Sequence, residues 1–139
     1  MNIEYVNYIS VEDYTYLRDS VGFRKLPMRQ ATIGLQNTAY QVAAKDEDKV
    51  IGMARILWDG GYNAFLADVV VHPDYQGKHI GYQMVKNIID YLRSQMKSDE
   101  CILFNLGAAK DKEPFYLNLG FQNRPNEHLG AGMVQWLTK

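Results

Sequence analysis

The chain of 139 residues has one cysteine, Cys101, so no internal disulfide can hold it together. It also lacks an excess of either charge. Its 15 Lys and Arg against 16 Asp and Glu exclude the broad basic surface that nucleic acid or anionic lipid usually selects. Long apolar runs are missing as well: "FLADVVV" is broken by Asp68 and falls far short of the roughly 20 residues that cross a bilayer, so no membrane span is expected. The opening "MNIEYVNYIS" has no basic stretch followed by an apolar core, which argues against secretion and sets the cytoplasm as the expected location. Three histidines and one cysteine, dispersed along the chain, show no metal-ligand spacing. Neither G-x-x-x-x-G-K-[ST] nor a G-x-G-x-x-G after a strand occurs, which disfavours nucleotide hydrolysis and dinucleotide binding.

What is present fits one globular domain over residues 1–139. The 47% hydrophobic and 22% charged residues lie close to the globular average, and a second core would leave each half too small to be stable. The segment "NIEYVNYI" alternates like an edge strand. Ser10, with Asp13 three residues later, then resembles a capping box ahead of the helical pattern "VEDYTYLRDSVGF". Pro27 and Gly34 mark the start and end of a second short helix. Next, "AYQVAAK", "KVIGMARILW" and "AFLADVVV" read as three antiparallel strands separated by the turns "DED" and "DGGYN".

Ile80, Met84, Val85, Ile88, Ile89, Leu92 and Met96 recur at helical spacing and predict the strongest helix. "CILFNLG" follows as a buried strand, "KDKEPFYLNLG" as a short helix ending near Gly120, and "GMVQWLT" as a last strand. The order β, α, α, β, β, β, α, β, α, β predicts a mixed α/β (α+β) fold. Its central sheet is expected to have about six to seven strands, with helices on both faces. The β-α-β unit from Ala64 to Leu106 makes its two strands parallel.

The junction "VVVHPDYQGKHIGYQM" carries the chemistry. Where a strand runs into a helix, the first N–H groups of the helix lack intrahelical partners and favour an anion. Gly77 and Gly81 permit close approach, and Lys78 and His79 can add charge-assisted hydrogen bonds. The residues alone leave two readings open, a phosphate site and a tight turn that uses glycine for geometry.

"QGKHIG" resembles the Gln/Arg-x-x-Gly-x-Gly/Ala signature of the GCN5-related N-acetyltransferases, and "EPFYLNLGF" resembles their late F-Y-x-x-x-G-F segment. The likeness runs from about Ala39 onward and includes the order of elements. It implies acetyl-coenzyme A as acetyl donor. Gln76, Gly77, Lys78, His79, Ile80 and Gly81 would face its pyrophosphate, and the main chain of Val69, Val70 and Val71, splayed from the next strand at a bulge, would face its pantetheine arm. By the same resemblance Phe115 would wall that arm, and Tyr116 would be the acid near the leaving thiolate. Two departures stand out. His79 replaces the usual Gly, so either the position needs no positive φ or the imidazole is tolerated on an exposed turn. Ala109 and Lys112 stand where many members have Asn and Ala, seven and four residues before the tyrosine, so an Asn contact to pantetheine is not carried over.

Transfer to an amine needs a neutral nucleophile, which costs roughly 4.6 kcal/mol at pH 7 for an amine of pKa about 10.4. Asp68, interrupting an apolar strand just before the expected bulge, is the candidate base if it faces a polar cavity; its other reading is a hydrogen-bonded structural carboxylate. Glu113 and His72 are weaker candidates: the first fits a helix's first turn and the second a loop. Tyr116 is either the thiol-side acid or a capped core aromatic, and an N–H near Val70 is expected to hold the carbonyl oxygen. Cys101 is expected to be buried as a small hydrophobe, not to act as a nucleophile. The expected acceptor is a small-molecule amine, met by the N-terminal helices and by loops carrying Phe23, Arg24, Arg29, Trp58, Asp59, Tyr62 and Glu127. A protein or peptide amine is the alternative acceptor, and a non-catalytic acyl-coenzyme A-binding module the alternative function. The resemblance also suggests a homodimer that pairs "GAGMVQW" between subunits.

Overall fold

The computed structural model describes all 139 residues. They form two compact units, Met1–Leu106 and Gly107–Lys139. The first unit contains β1 (Ile3–Val6), α1 (Val11–Ser20), α2 (Met28–Gln36), β2 (Tyr40–Asp46), β3 (Lys49–Trp58), β4 (Asn63–Val71), a short 3-10 turn (Pro73–Tyr75), α3 (Ile80–Gln95) and β5 (Leu103–Leu106). The second contains α4 (Glu113–Leu117).

The strands stand in the order β1-β2-β3-β4-β5. The first four are antiparallel, and β4 and β5 are parallel, as the α3 crossover requires. This is the mixed α+β fold expected, with five strands in place of six to seven. "GMVQWLT" carries no strand, so the expected last strand is absent from the sheet.

Alternation along β3 decides which helix covers which face. Gly52 lies under α3: a Cβ there would come within 3.1 Å of the Met84 methyl carbon and 3.3 Å of the Val70 carbonyl, so a side chain would have to displace them by a few tenths of an ångström. The next residue, Met53, points the other way, into a cluster with Tyr14, Leu17, Ala31, Ala43 and Val70 beneath α1 and α2. The expected layering of helices on both faces follows. Ser10 caps α1 as expected, its Oγ accepting from the Asp13 N–H at 3.0 Å. Gly34 lies inside α2, not at its end. The helix continues to Gln36 and the Asn37 N–H closes on the Ile33 carbonyl. Cys101 is exposed, contrary to its expected burial, because β5 begins only at Leu103 and leaves the thiol in the connection from α3.

Candidate active site

The pairing of β4 with β5 ends at Leu66 and Leu106, yet β4 continues to Val71. Its last residues therefore keep β3 on one side and have no strand on the other. The His72 N–H donates to the Ile51 carbonyl at 2.8 Å, so by alternation Val70 turns its N–H and C=O toward β3, while Val69 and Val71 turn theirs to the open side. Near Val70, the N–H groups open to a carbonyl oxygen are thus those of Val69 and Val71. The bulge expected here lies one step earlier: Arg55 faces Asp68 and Ile56 faces Leu66, leaving Ala67 without a partner on β3.

The turn after β4 is fastened at three points. The Asp74 N–H donates to His72 Nδ1 at 3.1 Å, and Gln76 Nε2 donates to the Val71 carbonyl at 2.9 Å. Tyr75 Oη donates to Asp46 Oδ2 at 2.7 Å, a bond that lowers the Asp46 pKa and raises that of Tyr75. Gln76 therefore spends its side chain on the strand, leaving its main chain for a ligand. Gly77 at φ 77° and His79 at φ 63° then turn the chain into α3. His79 is the N-cap residue and makes no side-chain cap bond, so the first N–H groups of α3, at Ile80, Gly81 and Tyr82, have no intrahelical acceptor. Nothing lies within 4 Å of a Cβ built on Gly77, and Lys78 is exposed beside it. A row of main-chain donors on an open, cation-flanked turn suits phosphate oxygens.

Asp68 does not face a polar cavity. Its side chain is 7% exposed, and both oxygens are engaged: Arg18 Nη1 donates to Oδ1 at 2.9 Å, while Arg55 Nε at 2.7 Å and Tyr14 Oη at 2.9 Å donate to Oδ2. Arg55 also reaches the Thr38 hydroxyl at 2.9 Å, and Arg18 Nη2 the Arg24 carbonyl at 2.8 Å. Burial, with Asp68 alongside, pushes the Tyr14 phenol above its ordinary pKa. Three side-chain donors from α1 and β3 thus occupy both oxygens, the arrangement of the hydrogen-bonded structural carboxylate that was the other reading of Asp68. Arg18, Arg55 and Tyr14 were not singled out from the sequence. A signal existed, because Arg55 and Asp68 interrupt successive apolar strands with opposite charges.

His72 uses its Nδ1 lone pair for the Asp74 N–H, which leaves the ring proton on Nε2. Glu113 occupies the first turn of α4, as expected, and is exposed.

Within Gly107–Lys139, Tyr116 lies on α4 at the centre of an aromatic group. Its ring meets Phe115 edge-on at 4.9 Å and Phe121 at 5.8 Å between centroids. The Phe121 N–H closes on the Tyr116 carbonyl at 3.2 Å, and Gly120 at φ 89° makes that reversal possible. Burial raises the Tyr116 pKa. Val69 to Val71 and Gln76 to Gly81 share one continuous piece of the first unit, whereas Phe115 and Tyr116 belong to the second.

Comparison with known proteins adds a family to this geometry. The profile of the acetyltransferase (GNAT) domain matches residues 37–123, a stretch that holds β2 through α4 and spans both units. An uncharacterized N-acetyltransferase, ycf52, of Pyropia yezoensis is 36% identical over 122 residues, covering 85% of this chain and 68% of the relative. GCN5-related N-acetyltransferase 2, chloroplastic, of Arabidopsis thaliana is 31% identical over 140 residues, covering 84% and 52%. Among solved structures, the probable acetyltransferase SA2161 of Staphylococcus aureus superposes with a TM-score of 0.85 at 26% identity, covering 97% of this chain and 100% of its own.

Proposed function

The chain belongs to the GCN5-related N-acetyltransferase (GNAT) family and is an N-acetyltransferase; from that premise we propose that it moves the acetyl group of acetyl-coenzyme A to the primary amine of a small molecule, both substrates being bound together. One observation carries the reading: the open edge of β4 runs directly into a turn whose main-chain donors suit phosphate.

The residues fit the donor. The amides of Gln76 to Gly81 and the start of α3 would hold its pyrophosphate, with Lys78 supplying a positive charge. The open main-chain groups of Val69 and the N–H of Val71 would pair with the amides of its pantetheine arm, which, by the family resemblance, Phe115 would wall. Acetyl-coenzyme A supplies the thioester and the thiolate leaving group. An N–H of Val69 or Val71 would hold the carbonyl oxygen as the amine attacks. Tyr116 would donate a hydrogen bond to the departing sulfur. Full proton transfer from an ordinary phenol to a thiolate is already uphill by about 2 kcal/mol, and burial of Tyr116 raises that further, so it acts as a hydrogen-bond donor.

Asp68 holds the bulge in place, and with its oxygens engaged the acceptor must shed its own proton to solvent. The value of kcat/KM then rises with pH toward the acceptor's own pKa.

The test is release of free thiol from acetyl-coenzyme A across a panel of amines. Replacing Tyr116→Phe is expected to lower kcat at least tenfold, in line with general-acid contributions of roughly 100-fold or more, while leaving acetyl-coenzyme A affinity unchanged. Unchanged turnover would remove Tyr116 from the mechanism. Thermal stabilisation by ATP but not by acetyl-coenzyme A would overturn the donor.

A further inference from the structure

All 16 acidic residues of this chain lie outside one stretch of 25 residues. From Val21 to Lys45 there is no Asp or Glu, while Arg24, Lys25, Arg29 and Lys45 occur. Three of these cations fall within six consecutive residues. Arg24 and Lys25 belong to the connection between α1 and α2, Arg29 belongs to the first turn of α2, and all three are exposed. The first turn of α2 contains no acid, so the partial positive charge of the helix start adds to theirs.

The connection is built, not loose. The Gly22 and Phe23 N–H groups close on the carbonyls of Asp19 and Arg18 at 3.1 and 3.0 Å. Phe23 and Leu26 pack against the core cluster that includes Val70 of β4, and the Arg18 guanidinium lies 5.4 Å over the Phe23 ring. That guanidinium binds the Arg24 carbonyl through Nη2 and Asp68 through Nη1. One side chain thus fastens the basic connection to the strand whose open edge is the proposed site of acetyl transfer. Asp68 is paired with both Arg18 and Arg55.

From this placement we infer that the acceptor bears an anionic group, a carboxylate or a phosphate, beside its amine, and that Arg24, Lys25 and Arg29 select it. The inference rests on the acetyl-transfer reading above and sharpens its acceptor class. Exposed cations on a fixed support recognise an anion chiefly by charge and charge-assisted hydrogen bonds, so the preference is screened by salt. A polyamine, which is all cation, is repelled by the same three side chains.

The experiment compares matched acceptors in the thiol-release assay with the full chain: an ω-amino acid against the diamine of equal length, and an amino sugar against its phosphate ester. The expected result is a lower KM for the anionic member of each pair, roughly tenfold or more, shrinking as salt rises. The variant Arg24→Gln/Lys25→Gln/Arg29→Gln should erase that difference through KM, with acetyl-coenzyme A affinity retained. A wild-type preference for the diamine or the free amino sugar overturns the inference, as does an unaltered anionic KM in the triple variant. Amide chemical shifts of Arg24 to Arg29, titrated with the same compounds, read acceptor contact without turnover. Shifts with the anionic members in the absence of any thiol release would uphold the inference while overturning the acetyl donor. No shift with any of them would overturn the inference alone if turnover persists.

Discussion

With φ 63° and ψ 14°, His79 holds the left-handed backbone that the family signature usually gives to glycine. A Cβ in that region costs roughly 1–2 kcal/mol. Of the two readings the sequence left open, the second holds: the position does need positive φ, and the imidazole is accommodated on an exposed turn, edge-on to Tyr82 at 6.1 Å. Replacing His79→Gly relieves the steric cost but returns about 0.4–1 kcal/mol to the unfolded chain as entropy. Denaturant unfolding should show a net gain of roughly 0.5–1 kcal/mol. Acetyl-coenzyme A affinity, measured by calorimetry, should stay nearly constant, because the turn offers main-chain groups. A variant less stable than the parent would mean that the imidazole makes contacts worth more than the strain. Tyr116 has its own residue-scale consequence. Its folded pKa lies above the unfolded value of about 10, so its contribution to stability is complete below that pH and is lost as pH climbs through the folded value. Between pH 7 and 9 the phenol stays protonated, and Tyr116 adds no inflection to the rate profile there.

Elements meet at Asp68, where β4, β3 and α1 share one ion network, and Arg55 extends it to Thr38 just beyond α2. Replacing Asp68→Asn leaves two guanidiniums, each 13% exposed, without their counter-charge, and breaking such a pair typically costs about 3–5 kcal/mol. The variant should unfold at markedly lower temperature, and activity measured well below that temperature should keep the parent's pH profile. A parent-like melting temperature with the acid limb of the profile abolished would instead make Asp68 the base. The same junction marks how far the sequence could be read. The three long strands and α3 were legible because their apolar residues cluster between turn residues or recur at helical spacing, and Ser10 was legible because a cap is local. The bulge at Ala67 was not. It sends Leu66 and Asp68, which a plain alternation would put together, to opposite faces, and that carries Asp68 to Arg18. The open edge of β4 was legible only through the family resemblance, since nothing local dictates that β5 stops at Leu106.

At the scale of the whole molecule, the apolar pattern of "GMVQWLT" asked for a strand, and the isolated chain provides none. Met133, Val134, Trp136 and Leu137 are between 73% and 92% exposed. An exposed apolar patch of this kind commonly marks an interaction surface. We propose that a second copy of the chain supplies the partner, as the family resemblance implies. Sedimentation equilibrium at micromolar concentration should give the dimer mass, and the double variant Val134→Asp/Trp136→Asp should give the monomer. Its melting temperature should lose the dependence on protein concentration that a coupled dimer has. Hydrogen exchange separates pairing from simple collapse of these side chains: amides of Met133 to Leu137 should be protected at high concentration and exchange freely on dilution. A wild-type chain that sediments as a monomer throughout, or amides that exchange equally fast at both concentrations, would exclude the partner strand.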